Sequence, residues 1–316
     1  MIVKPDFEHK GQKPVKGLSF HWIVLLCLNL NLLMINQVQA LQPLELTVTH
    51  TRDGVREFDG VDGYNFERLE TQVIAPFIQH RSYAGNWFVG ADISENRLLL
   101  SGALTGQRRL YRFATPIQYF PRRVGRIQHE WMLTPAYYSD ESLIQQKRFS
   151  FEYAWQVRYR KNRKVNFVGG LRNDSRFGGE GIHPIFGIES RPNTKIFHHW
   201  VFPDMYTEVQ FKKRLKAKAF IQINGGNWRY VLADGTTTAS LGLSDWKIGV
   251  GARLKTKMPF DIVAEAGMRI MGSGIMAGTT GNLSNTYYFS IGINTPFEAN
   301  TSSKLSRKTK RRFRNR

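Results

Sequence analysis

The sequence predicts an all-β protein, a closed antiparallel transmembrane β-barrel of about 12 to 14 strands. Three observations predict this fold class. Polar and apolar residues alternate with period two through the body of the chain. Most of the resulting candidate strands are roughly 8–13 residues long, close to the ~9–11 that a tilted strand needs to cross a bilayer. Many of the links between them alternate between long and short, as outer loops and periplasmic turns of such barrels do.

Composition and charge exclude several classes of protein. The 316 residues include 45 Lys and Arg against 25 Asp and Glu, so the formal net charge is +20. Aromatic residues make up 13% of the chain, which argues against disorder. No apolar run approaches the ~20 residues of a membrane-spanning helix. The single cysteine, Cys27, excludes a disulfide framework and a cysteine-rich metal centre. A β-rich globular protein, a basic nucleic-acid binder and a membrane β-barrel remain.

Residues 1–40 have the features of an export signal. A lysine-rich leader precedes an apolar segment at 18–35, and Val38-Gln39-Ala40 gives a small–x–small cleavage pattern. We therefore expect cleavage after Ala40 and export to the outer membrane of a Gram-negative bacterium; an uncleaved anchor is the alternative. Cleavage would leave a mature chain without cysteine, which suits an oxidising compartment.

The other end of the chain is a basic segment, 298–316. Eight cations against one acid, Glu298, give it a net charge of +7. We expect a disordered tail there, with anionic lipid or nucleic acid as the alternative ligand of such a run; export makes nucleic acid the least favoured partner. Between signal and barrel, segment 41–66 is either a leader or the first strand, and the barrel itself is expected over 67–297.

Two segments illustrate the alternation best. In 148–160, aromatic and aliphatic residues such as Phe149, Phe151 and Tyr153 fall on one face and charged or small residues on the other. In 246–257, Ile248 and Val250 similarly oppose Lys247 and Gly249. Segment 260–270 repeats the pattern. The other candidate strands are 67–79, 84–94, 97–104, 109–120, 126–138, 164–172, 183–191, 195–202, 205–213, 217–233 and 286–297.

The lengths of the links predict which end of the barrel faces the periplasm. We expect long outer links at 139–146, 173–182, 235–244 and 271–285, and short outer links near 80–83, 105–108 and 203–204. Periplasmic turns are expected at 121–125, 161–163, 192–194, 214–216 and 257–259. Closure follows because lipid cannot satisfy an open sheet edge. A soluble β-sandwich with one solvated face is the alternative, but it gives no reason for the alternation of the links.

The last strand carries a resemblance. Phe289, Ile291, Ile293 and Thr295 alternate with polar or small residues, and the strand ends on Phe297. This resembles the C-terminal strand signal of Gram-negative outer-membrane barrels, which ends in an aromatic residue and is read by the barrel assembly machinery. The resemblance implies that machinery as a partner. In the family pattern the aromatic is usually the final residue, whereas here the basic tail follows it.

A central block is similar to an uncharacterised family of bacterial outer-membrane barrels known only as a domain of unknown function. The residues that carry it are HPIFGIESRPN at 183–193, VFPD at 201–204 and NGGNWR at 224–229. The similarity covers roughly 85–297 and implies a barrel fold. It brings no activity, cofactor or catalytic residue with it.

Inward cations are the strongest chemical feature. If the apolar face meets lipid, seven basic residues point into the lumen: Arg148, Arg158, Arg160, Lys247, Arg253, Lys255 and Arg269. A ring of cations in a water-filled pore favours anions, so one hypothesis is a narrow, porin-like channel for small anionic solutes. The other is a plugged, envelope-structural barrel in which these cations pair with Glu152, Asp261 and Glu265.

The sequence predicts neither a catalytic site nor a cofactor. The alternative is a lipid-modifying enzyme, because His80-Arg81-Ser82 with Asn86 superficially resembles the His–Ser arrangement of outer-membrane phospholipases. His198 and His199 fall on opposite strand faces, so we expect no metal site there. The glycines around 272–281 are expected in a flexible outer loop. Outer-membrane lipid and lipopolysaccharide are the expected partners.

Overall fold

The computed structural model describes residues 44–59, 64–102, 106–140, 148–231, 238–276 and 278–297. The predicted signal at 1–40 and basic tail at 298–316 lie outside the described residues. The described residues form strands, turns and short loops, and contain no helix. In particular, none of them forms a helix long and apolar enough to span a membrane.

Seventeen strand segments make up the sheet. They are β1 (Leu44–Asp53), β2 (Arg56–Phe58), β3 (Tyr64–Arg81), β4 (Gly85–Gly102), β5 (Gly106–Ala114), β6 (Ile117–Pro121), β7 (Ile127–Asp140), β8 (Arg148–Arg160), β9 (Val165–Asp174), β10 (Gly181–Ser190), β11 (Ile196–Phe202), β12 (Asp204–Lys212), β13 (Leu215–Val231), β14 (Thr238–Lys255), β15 (Asp261–Met276), β16 (Thr279–Leu283) and β17 (Thr286–Phe297).

The sheet closes on itself as a barrel. Strand β1 pairs antiparallel with both β3 and β17, so the first and last strands are neighbours. Three pairs of consecutive segments, β1 with β2, β5 with β6 and β16 with β17, each occupy one position in the wall. The wall therefore has 14 antiparallel strands, which confirms the predicted fold class. The segment 44–53, for which a leader was the alternative, is the first of these strands.

Side chains alternate between an apolar outer face and a polar lumen, as the period-two pattern predicts. In β8, Phe149, Phe151 and Tyr153 are exposed on the outside, Phe151 by 62%, whereas Ser150 and Glu152 between them are buried. The outer face thus presents large apolar side chains to the surroundings. Hydrocarbon is the medium such a face fits, since closure leaves no unpaired sheet edge in it.

Strand β4 corrects two sequence predictions. The predicted strands 84–94 and 97–104 form one strand of 18 residues, β4. The polar residues between them have hydrogen-bond partners: Asn96 accepts from Arg68 Nε of β3 at 2.8 Å, and Glu95 accepts from Arg97 Nε at 2.7 Å. Because the two predicted strands are one, the link 82–84 lies at the same end of the barrel as the predicted periplasmic turns. The sequence had predicted an outer link at 80–83.

The predicted long link at 271–285 is also largely strand. Strand β15 continues to Met276 and pairs with β16 from Gly272 onward. Strands of 16–18 residues, such as β3, β4, β14 and β15, exceed the ~9–11 residues of a bilayer crossing and extend beyond it as a sheet.

The two ends of the barrel differ. One end, here the turn end, carries the links 82–84, 122–126, 161–164, 191–195, 213–214 and 256–260, together with the start of β1 and the end of β17. The other, the loop end, carries the described links 175–180 and Pro203 and the links that contain the undescribed residues 60–63, 103–105, 141–147, 232–237 and 277. Five of the six turn-end links coincide with or overlap the predicted periplasmic turns.

Candidate functional site: the barrel lumen

Arg269 lies at the centre of an ion-pair network in the lumen. Its side chain is completely buried (0% exposed), as β15 places it on the inner face. Nε donates to Asp53 Oδ1 at 2.8 Å, and Nη1 donates to Asp245 Oδ1 at 3.0 Å. The two carboxylates come from β1 and β14, so this guanidinium joins strands on either side of its own. A buried cation of this kind is tolerated only because it is paired.

Two further arginines extend the network towards the loop end. Arg56 Nη1 donates to Asp245 Oδ2 at 2.7 Å, and its Nε donates to the backbone carbonyl of Ser284. Arg68 Nη2 donates to Glu70 Oε2 at 2.8 Å. Three guanidinium groups thus face three carboxylates, and the charges balance.

A lysine pair shares one carboxylate on the next part of the wall. Glu265 accepts from Lys218 Nζ at 2.8 Å through Oε1 and from Lys247 Nζ at 2.9 Å through Oε2. The Lys247 ammonium also lies 4.5 Å from the ring centroid of Tyr288, a cation–π contact. Lys247 is 6% exposed, so its charge is held by these contacts rather than by solvent.

Tyr138 organises a second network from the opposite wall. Its hydroxyl donates to Glu152 Oε1 at 2.6 Å and lies 2.6 Å from the Ser175 hydroxyl. Arg112 donates to Tyr138 through Nε at 3.0 Å and to Glu152 through Nη2 at 3.0 Å. Arg112 also donates to Asp92, so its charge is compensated as well.

The link 175–180 contributes Ser175 and Arg176 to the lining of a central chamber of the lumen. Arg176 Nη1 donates to both carboxylate oxygens of Asp204, at 2.8 and 2.9 Å, and its Nε donates to Asp174 at 3.0 Å. A Cβ built on Gly225 would lie 2.3 Å from the Arg176 carbonyl oxygen. The loop backbone therefore rests directly on the wall strand β13, where only glycine leaves room. Gly178, with φ +81°, supplies the left-handed residue that the loop requires.

Ion pairs also line the turn half of the lumen. Arg158 donates to Glu130 and, through Nε, to Glu189 at 3.1 Å. Glu189 also lies 3.2 Å from His199 Nδ1. Nearer the turn end, Arg253 forms two hydrogen bonds to Glu45, at 2.7 and 3.0 Å, and one to Asp261 at 2.8 Å.

These networks enclose a central chamber of about 480 Å³. Its lining includes Arg68, Glu70, Arg112, Glu152, Lys247 and Glu265, and so carries both signs of charge. A second cavity of about 170 Å³ lies beside it, between Glu130, Arg158, Arg172, His199 and Asp204.

An apolar layer crosses the lumen between the chamber and the loop end. Its buried members are Phe58, Phe66, Leu98, Leu110, Ala114, Ala136, Tyr138, Trp228, Leu241, Leu243, Met276 and Leu283. Trp228 packs edge-to-face on Tyr138, with ring centroids 6.1 Å apart. Tyr138 lies on β7 and Trp228 lies on β13. These two strands do not pair in the wall, yet they approach each other across the lumen. Side chains from opposite walls therefore meet inside the barrel at this level.

Sequence reasoning missed this layer, because it assigned apolar residues to the outer face throughout. A signal was present: Trp228 follows Gly225 and Gly226, and glycine in a strand marks a place where another group approaches closely. The sequence prediction placed aromatic and aliphatic side chains on the outer face of the barrel and none in the lumen. The inner face changes from polar to apolar towards the loop end.

Four of the seven predicted lumen cations lie in the lumen, and each is paired with a carboxylate: Arg158, Lys247, Arg253 and Arg269. Arg160 and Lys255 are exposed in the last positions of β8 and β14, at the turn end. The side chain of Arg148 lies outside the described residues. Of the carboxylates expected to pair with the lumen cations, Glu265 and Asp261 do so, whereas Glu152 pairs with Arg112.

The residues of the predicted assembly signal lie on the outer face of β17. Phe289, Ile291 and Ile293 are exposed there, Phe289 by 54%. Phe297 ends β17 and pairs in register with Leu44, and its side chain lies outside the described residues. Recognition by the assembly machinery stays a prediction.

The residues of the enzyme alternative lie at the turn end. Ser82 Oγ donates to the carbonyl oxygen of Gly85 at 3.0 Å, within the β3–β4 turn. His80 ends up exposed in β3, in register with Trp87. Among the described residues no hydrogen bond joins His80 to Ser82.

The remaining histidines have ordinary contacts. His198 Nδ1 lies 2.9 Å from Thr207 Oγ1, whereas the neighbouring His199 contacts Glu189. His183 stacks on Phe177 at 3.6 Å between ring centroids. The described part of the chain contains no cluster of three potential metal-ligating side chains.

Comparison with known proteins gives matches among solved structures alone. No family model matches the chain, and no curated protein matches it. Several solved structures are similar in fold, and they are outer-membrane β-barrels. The fold of this chain is established by its own strand pairing, which gives a closed antiparallel barrel of 14 strands.

Three of these structures illustrate the likeness. The translocator domain of the autotransporter NalP from Neisseria meningitidis matches with a TM-score of 0.42 and 8% identity, over 80% of this chain and 88% of that one. The Pseudomonas putida toluene transporter TodX matches with 0.41 and 8%, over 82% and 90%. The KdgM porin in complex with oligogalacturonate matches with 0.34 and 11%, over 80% and 99%. Such likenesses concern the fold alone.

Proposed function

We propose that this protein is a non-enzymatic outer-membrane barrel that passes small polar solutes through a narrow lumen that is closed at rest. The observation that carries the proposal is the chamber of about 480 Å³ beneath the apolar layer. A barrel with a purely structural role has no need of a solvated polar space inside it. An open pore, in turn, has no layer of buried aromatic and aliphatic side chains across its lumen.

The pairing of the inward charges defines the solutes. Lys218 and Lys247 share Glu265, and Arg269 contacts both Asp53 and Asp245. A ring of free cations would favour anions, but paired charges present a lining of both signs. The proposed solutes are therefore small neutral or zwitterionic molecules, with little preference between anions and cations. This modifies the anion preference predicted from the sequence.

The apolar layer is the proposed gate. Narrow apolar constrictions exclude water and ions by dewetting, and they conduct only when a side chain withdraws. Trp228 is the largest buried side chain in the layer and contacts Tyr138 across the lumen. Its withdrawal would connect the chamber to the loop end.

Location follows from the outer surface. The exposed apolar side chains of β8, β14 and β17 require hydrocarbon around the barrel, which supports a place in the outer membrane. Export through residues 1–40 and cleavage after Ala40 are part of the proposal. For the lipid-modifying alternative, the hydrogen bond of Ser82 Oγ to its own turn gives no support.

Solute release from proteoliposomes tests the function. Vesicles containing the wild-type barrel should release a small zwitterion such as glycine slowly. Vesicles with Trp228→Ala should release it at least severalfold faster, because the layer then has a gap. Trp200→Ala is the matched control, since Trp200 is 56% exposed on the outer face and leaves the lumen unchanged. Equal release from all three would contradict a gated passage and favour an envelope-structural role. Phospholipid hydrolysis by the purified wild type would favour the enzyme.

A further inference from the structure

The turn end of the barrel carries a dense group of cations outside the lumen, here the basic rim. It occupies five successive turn-end links, from β6–β7 to β14–β15. Its members are Arg122, Arg123, Arg126, Arg160, Lys161, Arg163, Lys164, Arg191, Lys195, Lys212, Lys213, Arg214, Lys255 and Lys257. Segments 121–126, 160–164, 191–195, 212–214 and 255–260 contain no acidic residue.

These cations differ from the arginines and lysines of the lumen in their surroundings. Every member of the basic rim is exposed. In the part of the chain that the structure describes, none of them forms an ion pair with a carboxylate, whereas Arg158, Lys247, Arg253 and Arg269 all do. The rim therefore has fourteen cations whose counter-charges must come from outside the described chain.

The rim lies just beyond the apolar belt. Phe211, Leu254 and Met258 are large exposed side chains adjacent to rim cations in the sequence. Lys161 Nζ lies 5.7 Å from the ring centroid of Phe167, which is exposed on the outer face of β9. Cations directly beyond a hydrocarbon-facing surface occupy the depth of lipid headgroups.

The distribution is an arc rather than a patch. Neighbouring turns are separated by two strands, about 10 Å at the spacing of a β-sheet. The charged arc spans the links from β6 to β15, and only the link 82–84 has no charged residue. A globular acidic partner would contact one side of such an arc, whereas a lipid leaflet surrounds the barrel and meets all of it.

We propose that the basic rim binds anionic phospholipid headgroups of the leaflet around the turn end. Phosphodiester groups supply the missing counter-charges, and guanidinium groups bind phosphate oxygens in bidentate fashion. The association is electrostatic and surface-exposed, so salt should weaken it. It does not depend on whether the lumen conducts.

Tryptophan quenching by brominated lipid measures this binding directly. Trp87, Trp131 and Trp200 are exposed on the outer face and report the lipids in contact with the barrel. The full chain is refolded into phosphatidylcholine vesicles that contain brominated phosphatidylglycerol or, in parallel, brominated phosphatidylcholine. We expect phosphatidylglycerol to associate severalfold more strongly than phosphatidylcholine at low salt, and the ratio to approach one at 1 M salt.

Two variants assign the effect to the rim. Changing Lys161, Arg163, Lys164, Lys212, Lys213 and Arg214 to Gln should lower the ratio towards one. Exchanging the same six residues between Lys and Arg should leave it close to the wild-type value. Both variants are first checked for barrel formation by heat-modifiable electrophoretic mobility; if the Gln variant fails to fold, Arg122, Arg123 and Arg126 are changed to Gln instead.

Deleting 298–316 separates the rim from the basic tail. We expect the preference for phosphatidylglycerol to survive this deletion. A ratio of one in the wild type, an unchanged ratio in the folded Gln variant, or loss of the preference on tail deletion alone would each overturn it. If the basic rim binds an acidic protein instead of lipid, the wild-type ratio will be one.

Discussion

Arg269 and Asp245 are joined by a hydrogen bond of 3.0 Å in the interior of the barrel, and neither side chain is more than 1% exposed. Twenty-four positions separate them in the sequence. Asp245 also binds Arg56, and Arg269 also binds Asp53, so the pair connects strands on both sides of β15. The wall is thus cross-linked from within by charges that compensate one another.

Replacing Arg269 with Met should destabilise the barrel strongly. The change leaves Asp53 without its Arg269 hydrogen bond and Asp245 with only Arg56. Breaking a buried ion pair in this way typically costs about 3–5 kcal/mol. Urea unfolding in detergent, followed by tryptophan fluorescence, measures the loss. Arg160→Met is the control, because Arg160 is exposed at the turn end and should change stability by less than about 0.5 kcal/mol.

Replacing Glu265 with Gln should shift the lumen towards anions. The change removes the carboxylate that Lys218 and Lys247 share and so adds one net positive charge to the chamber. Made in the Trp228→Ala background, the substitution should raise the chloride-to-potassium permeability ratio, measured from the reversal potential in a salt gradient. Glu208→Gln is the comparison, since Glu208 pairs with Lys216 at the turn half of the wall and lines neither cavity. An unchanged ratio would mean that solutes do not pass Glu265.

Replacing Gly225 with Ala should disturb the packing of the link 175–180 on β13. A Cβ there would lie 2.3 Å from the Arg176 carbonyl oxygen and 2.2 Å from that of Leu243, so backbone must shift. Overpacking of this kind costs about 1–3 kcal/mol. Gly169→Ala is the matched control, since a Cβ on Gly169 meets nothing within 4 Å. Equal urea midpoints for the two variants would contradict the close approach of loop and wall.

Placing a charge on the outer face should reduce stability in the membrane. Leu133 lies in the middle of β7 and is 45% exposed on that face. Arginine on the lipid face of a barrel costs about 2–4 kcal/mol near the bilayer midplane. Leu133→Arg should therefore lower the unfolding free energy in vesicles by that order, whereas Leu133→Phe should be tolerated. A tolerated arginine would contradict lipid contact and support a soluble sheet.

The strand faces were predictable from the sequence because their period follows from covalent geometry. In β8, Phe151 faces outward and Glu152 inward, as the alternation requires. Strand extent was less predictable. The run 94–97 is polar on both faces, and the sequence predicted two separate strands, 84–94 and 97–104, although β4 continues through it. Glu95 is 2% exposed and accepts a hydrogen bond from Arg97, so side-chain pairing compensates the polar run, and the alternation is lost there.

Partners in the lumen were beyond the sequence. The inward direction of Arg269 could be predicted, but Asp53, its partner, is 216 positions away. Their contact depends on barrel closure and on the stagger between strands, which alternation does not specify. The apolar layer was missed for a related reason. Trp228 and Tyr138 lie on strands that do not pair, and only the shape of the closed barrel brings them together.

The most direct test is single-channel recording in planar bilayers, with wild type and Trp228→Ala compared under a salt gradient. We expect the wild type to insert but to stay silent or to open rarely and briefly. We expect Trp228→Ala to give frequent small steps with little preference between anion and cation. Large, steady, anion-selective steps from the wild type would contradict both the apolar gate and the charge-balanced lumen.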